Sequence, residues 1–276
     1  MGRLEGKRAL VTGGTTGLGL AIAERFLREG ATVVITGRNL ELGARAEAAL
    51  RAARPEAALG AAGDSWFVAA DAADPAAVDL SVETARELLG GLDVLVNNAG
   101  IGVEARLLDT PVADFDAVMN VNVRGYFLNA RAAYPHLASQ GGCMIHIASD
   151  AGVWGEQPLG VYSVSKAAVV MLGKMLALDG GRDGVRSNVL CPGDTWPGMR
   201  HMAPPGGEDR PELGDWPLPP IGRIGQATDV AAAAVFYASD EAGFITGTAL
   251  LVDGGMTAGY LQRDRSPLAA PDLSPG

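Results

Sequence analysis

Arg8-Ala9-Leu10-Val11-Thr12-Gly13-Gly14-Thr15-Thr16-Gly17-Leu18-Gly19 is the stretch that decides the fold. Arg8–Thr12 is a short apolar run and reads as a strand. Leu18–Glu29 carries Leu18, Ile22, Phe26 and Leu27 at helical spacing and stops at Gly30, so it reads as a helix. The glycines between them let the backbone turn sharply and come close to a pyrophosphate. The helix N-terminus adds free N–H groups and a partial positive charge. Gly13, Thr15, Thr16, Gly17, Leu18 and Gly19 are therefore the expected phosphate cradle. Their glycine spacing is G-x-x-x-G-x-G, not G-x-G-x-x-G.

Outward from this turn the chain alternates strand and helix. Thr32–Thr36 is β-branched and reads as a second strand. Leu40–Ala53 reads as a helix, Trp66–Ala70 as a third strand and Pro75–Leu89 as a helix. Val94–Val96 is a fourth strand, followed by one long helix over Val112–Leu137. Met144–Ala148, the helix Tyr162–Leu178, Ser187–Leu190, the helix Ala227–Ser239 and the strand Ala249–Val252 complete the series. Apolar strands alternating with helices predict a Rossmann-like, doubly wound parallel sheet of about seven strands with helices on both faces. The series is read as one domain over residues 1–257. It is interrupted at 193–222, which holds seven prolines and no helical period and is expected to cover a substrate. A polar, Pro-rich tail follows over 258–276.

Composition narrows the function. The 276 residues are 48% apolar, enough for a sizeable core, and carry a formal net charge of −10, which argues against a nucleic-acid partner. No uninterrupted apolar run reaches membrane-spanning length, and Met1–Lys7 is unlike a secretory signal. A cytoplasmic protein without a membrane partner is expected. His136, His146 and His201 are scattered, and Cys143 and Cys191 lack metal-ligand spacing, so no metal is expected. Cys143 opens one strand and Cys191 closes another. In a parallel pair these are opposite ends, so no disulfide is expected.

Tyr162 and Lys166 lie four apart on one helix face, and Ser149 lies upstream. A phenol titrates near 10 in water, and a neighbouring ammonium stabilises its phenolate. Tyr162 is thus a candidate proton donor or acceptor, with Ser149 as a hydroxyl that orients a carbonyl or alcohol.

Taken in order, Thr12–Gly19, Asp71, Asn97-Asn98-Ala99-Gly100, Asn122, Ser149, Tyr162/Lys166, Pro192-Gly193 and Val252-Asp253-Gly254-Gly255 resemble the short-chain dehydrogenase/reductase family, in its single-domain branch, from about Lys7 to Thr257. The resemblance implies that Asp71 meets the adenine amino group. It implies that Asn98, Ala99 and Gly100 line the nicotinamide ribose, which Tyr162 and Lys166 also hold, and that Pro192, Gly193 and Thr195 face the carboxamide. It further implies that Asn122 holds a water joining Lys166 to solvent. Asn120, two residues earlier, turns to another face. A homotetramer or homodimer packed through the long helices and the last strand is also implied.

The second strand ends Thr36-Gly37-Arg38-Asn39, without the acidic residue that accepts from a ribose 2′-hydroxyl in NAD enzymes. Arg38 can pair with a 2′-phosphate through charge-assisted bonds, with Thr15 adding a hydroxyl, so NADP(H) is expected over NAD(H). After Pro192-Gly193 the chain departs from the family pattern with Asp194-Thr195-Trp196-Pro197-Gly198-Met199. Asp150 beside Ser149 is also unusual, and either points to solvent or binds a polar substrate group. Asp150, Trp154, Asp194, Trp196 and Met199 are the candidate substrate contacts. Trp196, Met199, His201, Met202 and Trp216 read as an aromatic lid, and Trp66 as strand packing. The expected activity is interconversion of a ketone and a secondary alcohol, more in the ketone-reducing direction. NAD-dependent alcohol dehydrogenation, a cofactor-retaining dehydratase or epimerase, and a redox-sensing regulator are the alternatives.

Overall fold

Residues 2–53, 64–197 and 218–259 are described by the structure, a computed structural model. The β-branched run Thr32–Gly37 (β2) pairs in parallel with Arg8–Val11 (β1) on one side and Ser65–Ala69 (β3) on the other. Val94–Asn97 (β4), Cys143–Ile147 (β5), Arg186–Pro192 (β6) and Ala249–Val252 (β9) extend the sheet beyond β1. Its order is β3-β2-β1-β4-β5-β6-β9, seven strands, all parallel. The expected doubly wound sheet is therefore present.

Successive strand residues face opposite sides, and the core divides accordingly. Ala9, Val11, Val33 and Ile35 pack with Ile22, Phe26 and Leu27 of α1 (Gly17–Arg28) and Val230, Ala234 and Val235 of α7 (Ala227–Ala238). Leu10, Val34 and Leu95 face the other way. They meet Val78 and Val82 of α3 (Pro75–Leu89) and Leu128, Ala133 and Leu137 of α5 (Gly125–Ala138). Each fully buried aliphatic side chain contributes roughly 2 kcal/mol. Helix ends follow local rules. Asn39 caps α2 (Leu40–Ala52) by accepting from Leu42 N–H, and Asp74 caps α3 ahead of Pro75, with Gly90 at φ 70° closing it.

Two expectations change. The helix over Val112–Leu137 is continuous but not uniform: a π-helical turn over Asn120–Arg124 lies between α4 (Val112–Met119) and α5. The wider turn carries the Asn122 amide into the core, where its polar atoms find fixed partners. The 193–222 segment is not wholly irregular, because Thr195–Trp196 (β7) pairs in parallel with Gly225–Gln226 (β8). Met199, His201, Met202, Trp216 and most of the C-terminal tail lie outside the described residues. Trp66 packs against the second core face, as expected.

The helix α6 (Gly160–Gly180), with its 3-10 extension to Asp183, is long and apolar enough on average to suit a membrane span, although Lys166, Lys174 and Asp179 interrupt its apolar run. It is a core-packed helix that passes the same test: Val161, Tyr162, Ser165, Lys166, Val169 and Gly173 are buried. Cys143 and Cys191 are free and buried, at opposite ends of the parallel neighbours β5 and β6.

Candidate active site

Strand order reverses between β1 and β4, so the connections leaving these strands diverge to opposite sides and leave a crevice at the carboxyl edge. The glycine turn forms one wall. Gly13 has φ +63°, and a Cβ there would lie 2.8 Å from the Cα of Ala99; a Cβ on Gly19 would lie 2.4 Å from Asn98 Nδ2. Thr16, at the N-cap of α1, makes no side-chain cap bond, and the first turn holds no acidic residue. The helix end thus offers N–H donors without a competing carboxylate, and the cradle fits a dinucleotide pyrophosphate.

Thr12, not singled out from the sequence as a site residue, ties this wall to the next. Its buried hydroxyl oxygen accepts from Asn98 N–H at 2.9 Å and Ala99 N–H at 3.2 Å. The Asn98 amide donates to the carbonyls of Thr12 and Gly13, so its side chain helps to build the turn. A Cβ on Gly100 would lie 3.3 Å from Asn122 Oδ1 and 3.6 Å from Lys166 Nζ, which brings these groups to one point. At the crevice rim, Arg38 Nη1 lies 3.9 Å from Asp71 Oδ2, and both side chains are largely exposed. The other Asp71 oxygen accepts from Ala73 N–H.

The reacting end lies where β5, α6 and β6 meet. Ser149 follows β5, and Tyr162 and Lys166 lie on the first turns of α6, with relative exposures of 8%, 8% and 3%. Lys166 Nζ donates to the carbonyl of Ile147 at 2.8 Å and sits 5.4 Å and 5.5 Å from the ring centroids of Tyr126 and Tyr162. Burial pushes the Lys166 ammonium down to about 7. Burial pushes the Tyr162 phenol well above its ordinary value, a hydrogen bond with Ser149 works against that, and Asp150 and Glu156 add to it. Lys166 is not among the groups that lower it, because Nζ faces the ring and the Ile147 carbonyl, while desolvation penalises the phenolate.

Asn122 is fully buried. Its Oδ1 accepts from Ile101 N–H at 2.9 Å, and its Nδ2 donates to Ile101 O and Ser165 Oγ at 2.8 and 2.9 Å. Both amide hydrogens are used within the protein, so the side chain clamps the loop after β4 to α6. Asn120 turns outward, as expected, and accepts from Arg124.

Asp150 does not point to solvent. Its Oδ1 accepts from Ser149 Oγ at 3.0 Å and Ala151 N–H at 2.8 Å. Burial raises its carboxyl to about 6, with Asp194 and Asp253 adding to the rise. Glu156, not anticipated from the sequence, is raised to about 7 by burial and by Asp150 and Asp194. No spacing in the chain marks it, because its proximity depends on how the 149–160 segment folds back. On the β6 side, the Thr195 hydroxyl donates to the Gly193 carbonyl at 2.8 Å, which leaves its oxygen only as an acceptor. Asp194 and Trp196 are half-buried beside this turn, and Trp154 is 60% exposed. Asp253 was noted only as part of a motif. Its carboxylate holds the turn after β9 by accepting from Gly255 N–H and from the N–H and hydroxyl of Thr257.

A dinucleotide crevice ending in a buried Tyr/Ser/Lys group defines a nicotinamide-dependent oxidoreductase. The family model described as enoyl-(acyl carrier protein) reductase matches residues 13–257. The NADP-dependent (R)-specific alcohol dehydrogenase of Lentilactobacillus kefiri is 36% identical over 93% of this chain and 98% of its own length. The 2-(R)-hydroxypropyl-CoM dehydrogenase of Xanthobacter autotrophicus is 40% identical over 91% of this chain and 98% of its own. A short chain dehydrogenase from Burkholderia cenocepacia, solved in complex with NADP, is 38% identical with a TM-score of 0.80, covering 92% of this chain and 99% of that one. The chain belongs to the short-chain dehydrogenase/reductase family and is an NAD(P)-dependent oxidoreductase acting on an alcohol/carbonyl pair.

Proposed function

We propose that the protein is an NADP(H)-dependent ketoreductase in which Tyr162 gives its phenolic proton to the carbonyl oxygen of a small-molecule ketone. The observation that carries this reading is the buried phenol of Tyr162 beside Ser149 and Lys166 at the carboxyl edge of the sheet. When bound in the crevice, the nicotinamide supplies the hydride. Ser149 donates to the carbonyl oxygen and stabilises the charge that develops there. Lys166 orients the ribose and offers the proton path that restores the phenol. Burial keeps the phenol protonated across the physiological range, which is the form that reduction consumes and oxidation must first ionise. Asp194, Trp154 and Trp196 border the substrate in this reading, with Asp150 behind Ser149. The working unit is one domain over residues 1–257.

The NADP preference rests on Arg38. Its guanidinium is exposed at the end of β2, and Asp71 at 3.9 Å is too loosely placed to hold it against a 2′-phosphate. A relative named as NADP-dependent and a related structure holding NADP support the same choice. Arg38→Asp is expected to raise the NADPH KM about 30-fold, the loss of one charge-assisted phosphate contact with a repulsion added, while the NADH KM changes little. Equal KM values for NADPH in both proteins would return the reading to NAD. The primary test is NADPH and NADH oxidation over a panel of cyclic, aromatic and sugar-like ketones, for which stoichiometric NADPH consumption is expected.

An exposed apolar face on α5 and α6, with Phe127, Val164, Met171, Met175 and Leu178, and exposed residues along β9 support a homotetramer or homodimer. Light scattering is expected to give a multiple of 28.3 kDa, and a monomeric mass would remove this part of the reading.

A further inference from the structure

One proton has several claimants at the end of β5. Ser149 Oγ donates to Asp150 Oδ1 at 3.0 Å and has the carbonyl of Pro192 as a weaker alternative at 3.4 Å. A substrate oxygen that accumulates negative charge needs the same hydroxyl proton. A serine hydroxyl has one hydrogen, so these demands exclude one another.

The carboxylate is built into its place. Ala151 N–H donates to both Asp150 Oδ1 and Ser149 Oγ, at 2.8 and 3.2 Å, which fixes the two side chains together. Opposite them, residue 193 is glycine. A Cβ there would lie 3.0 Å from Asp150 Oδ2 and 2.9 Å from the Cβ of Asp253, so the side chain of Asp150 occupies the space left against the β6 end. We propose that Asp150 is a positioning residue that acts through Ser149: its carboxylate accepts the hydrogen bond of the serine hydroxyl and turns it away from the substrate oxygen, and protonation of Asp150 frees the hydroxyl. The inference rests on the ketone-reduction reading above.

A bond from a hydroxyl to a carboxylate is roughly twice as strong as one to a neutral acceptor, so ionised Asp150 outcompetes a neutral ketone. Protonated, its carboxyl accepts only weakly, and Ser149 turns to the substrate or to Pro192. The groups that face Asp150 are Ser149 and Glu156 on its own segment, Cys191 and Asp194 at the end of β6, Asp253 after β9, and Tyr162 on α6. The carboxylates among them all oppose its ionisation, and burial does so first, moving its midpoint to about 6. Below that pH the serine is released, and above it the serine is held.

The test measures kcat/KM for a ketone from pH 5 to 9, at saturating NADPH, for the full-length wild type, Asp150→Asn, Ser149→Ala and the double variant. Wild-type kcat/KM is expected to fall about fivefold as pH rises through the Asp150 midpoint, the difference between a charged and a neutral competitor. Asp150→Asn is expected to lack this step and to exceed wild type about fivefold above it. Ser149→Ala, although much slower, is expected to lose the Asp150 part of the step too, and adding Asp150→Asn to it is expected to change the rate far less than the roughly fivefold seen in wild type, leaving only the direct effect of the Asp150 charge on Tyr162. Fluorescence titration with NADPH reports that each variant is folded. Lys166 and Glu156 titrate at about 7 in all four proteins, so a step of wild-type size retained in Asp150→Asn or in Ser149→Ala overturns the inference, as does an Asp150→Asn effect equal with and without Ser149. A wild type that turns over no ketone overturns the function reading and this inference with it. A wild type that turns over ketones, with Asp150→Asn tracking it at every pH, overturns this inference alone.

Discussion

Tyr162→Phe is expected to lower kcat for ketone reduction about 10³-fold, the upper-middle of what a placed general acid contributes, equivalent to about 4 kcal/mol of barrier. The substitution removes one oxygen and leaves the ring packed against Ala151 and Leu159. Folding and NADPH binding are therefore expected to stay near wild type, because the Lys166 Nζ contact to the ring and its bond to the Ile147 carbonyl do not involve the phenol oxygen. The signature is thus a loss in kcat with little change in NADPH affinity, read from steady-state rates and a fluorescence titration. Near-normal turnover in a folded, cofactor-binding Tyr162→Phe protein would falsify the assignment of Tyr162 as the proton donor.

Asn122→Ala is expected to destabilise the protein by about 3 kcal/mol, which for a chain of this size lowers Tm by about 9 °C. The Asn122 amide satisfies the N–H and the C=O of Ile101 and reaches Ser165 Oγ, all within a buried turn. Alanine leaves the Ile101 groups without these partners and opens a cavity beneath Gly100. Catalysis suffers in parallel, because the same clamp holds the loop after β4 against the helix that carries Tyr162 and Lys166. Calorimetry checks the first effect. A change in Tm of less than about 2 °C would show that the three bonds are replaced by other contacts and that the clamp is not a structural element of the site.

Much of the architecture was legible because it depends on short-range pattern. β-Branched and aliphatic runs with glycine at their ends fall as strands within a residue or two of their observed limits, and Pro75–Leu89 and Ala249–Val252 fall where expected. The π-helical turn inside the helix over Val112–Leu137 was not legible. Its cause is an asparagine whose partners, Ile101 and Ser165, lie 21 and 43 residues away. Nothing in the local sequence marks the π-helical turn that points it inward. The same limit applies to Asn98, whose amide closes the glycine turn across 85 and 86 residues.

By itself the sequence determined the strand–turn–helix phosphate cradle, the alternation that builds a parallel sheet, and the ordered Ser149, Tyr162 and Lys166. Each of these follows from backbone geometry or from residue spacing within one element. The tertiary structure alone decided what those groups do to one another. It placed Asp150 on Ser149 instead of in solvent, made Asn122 a clamp, and moved Tyr162 up and Lys166 down. Those outcomes depend on which strand ends meet and on how completely water is excluded between them. Desolvation and competition for a single proton are properties of the assembled site, set by residues distant in the chain, and no local pattern encodes them.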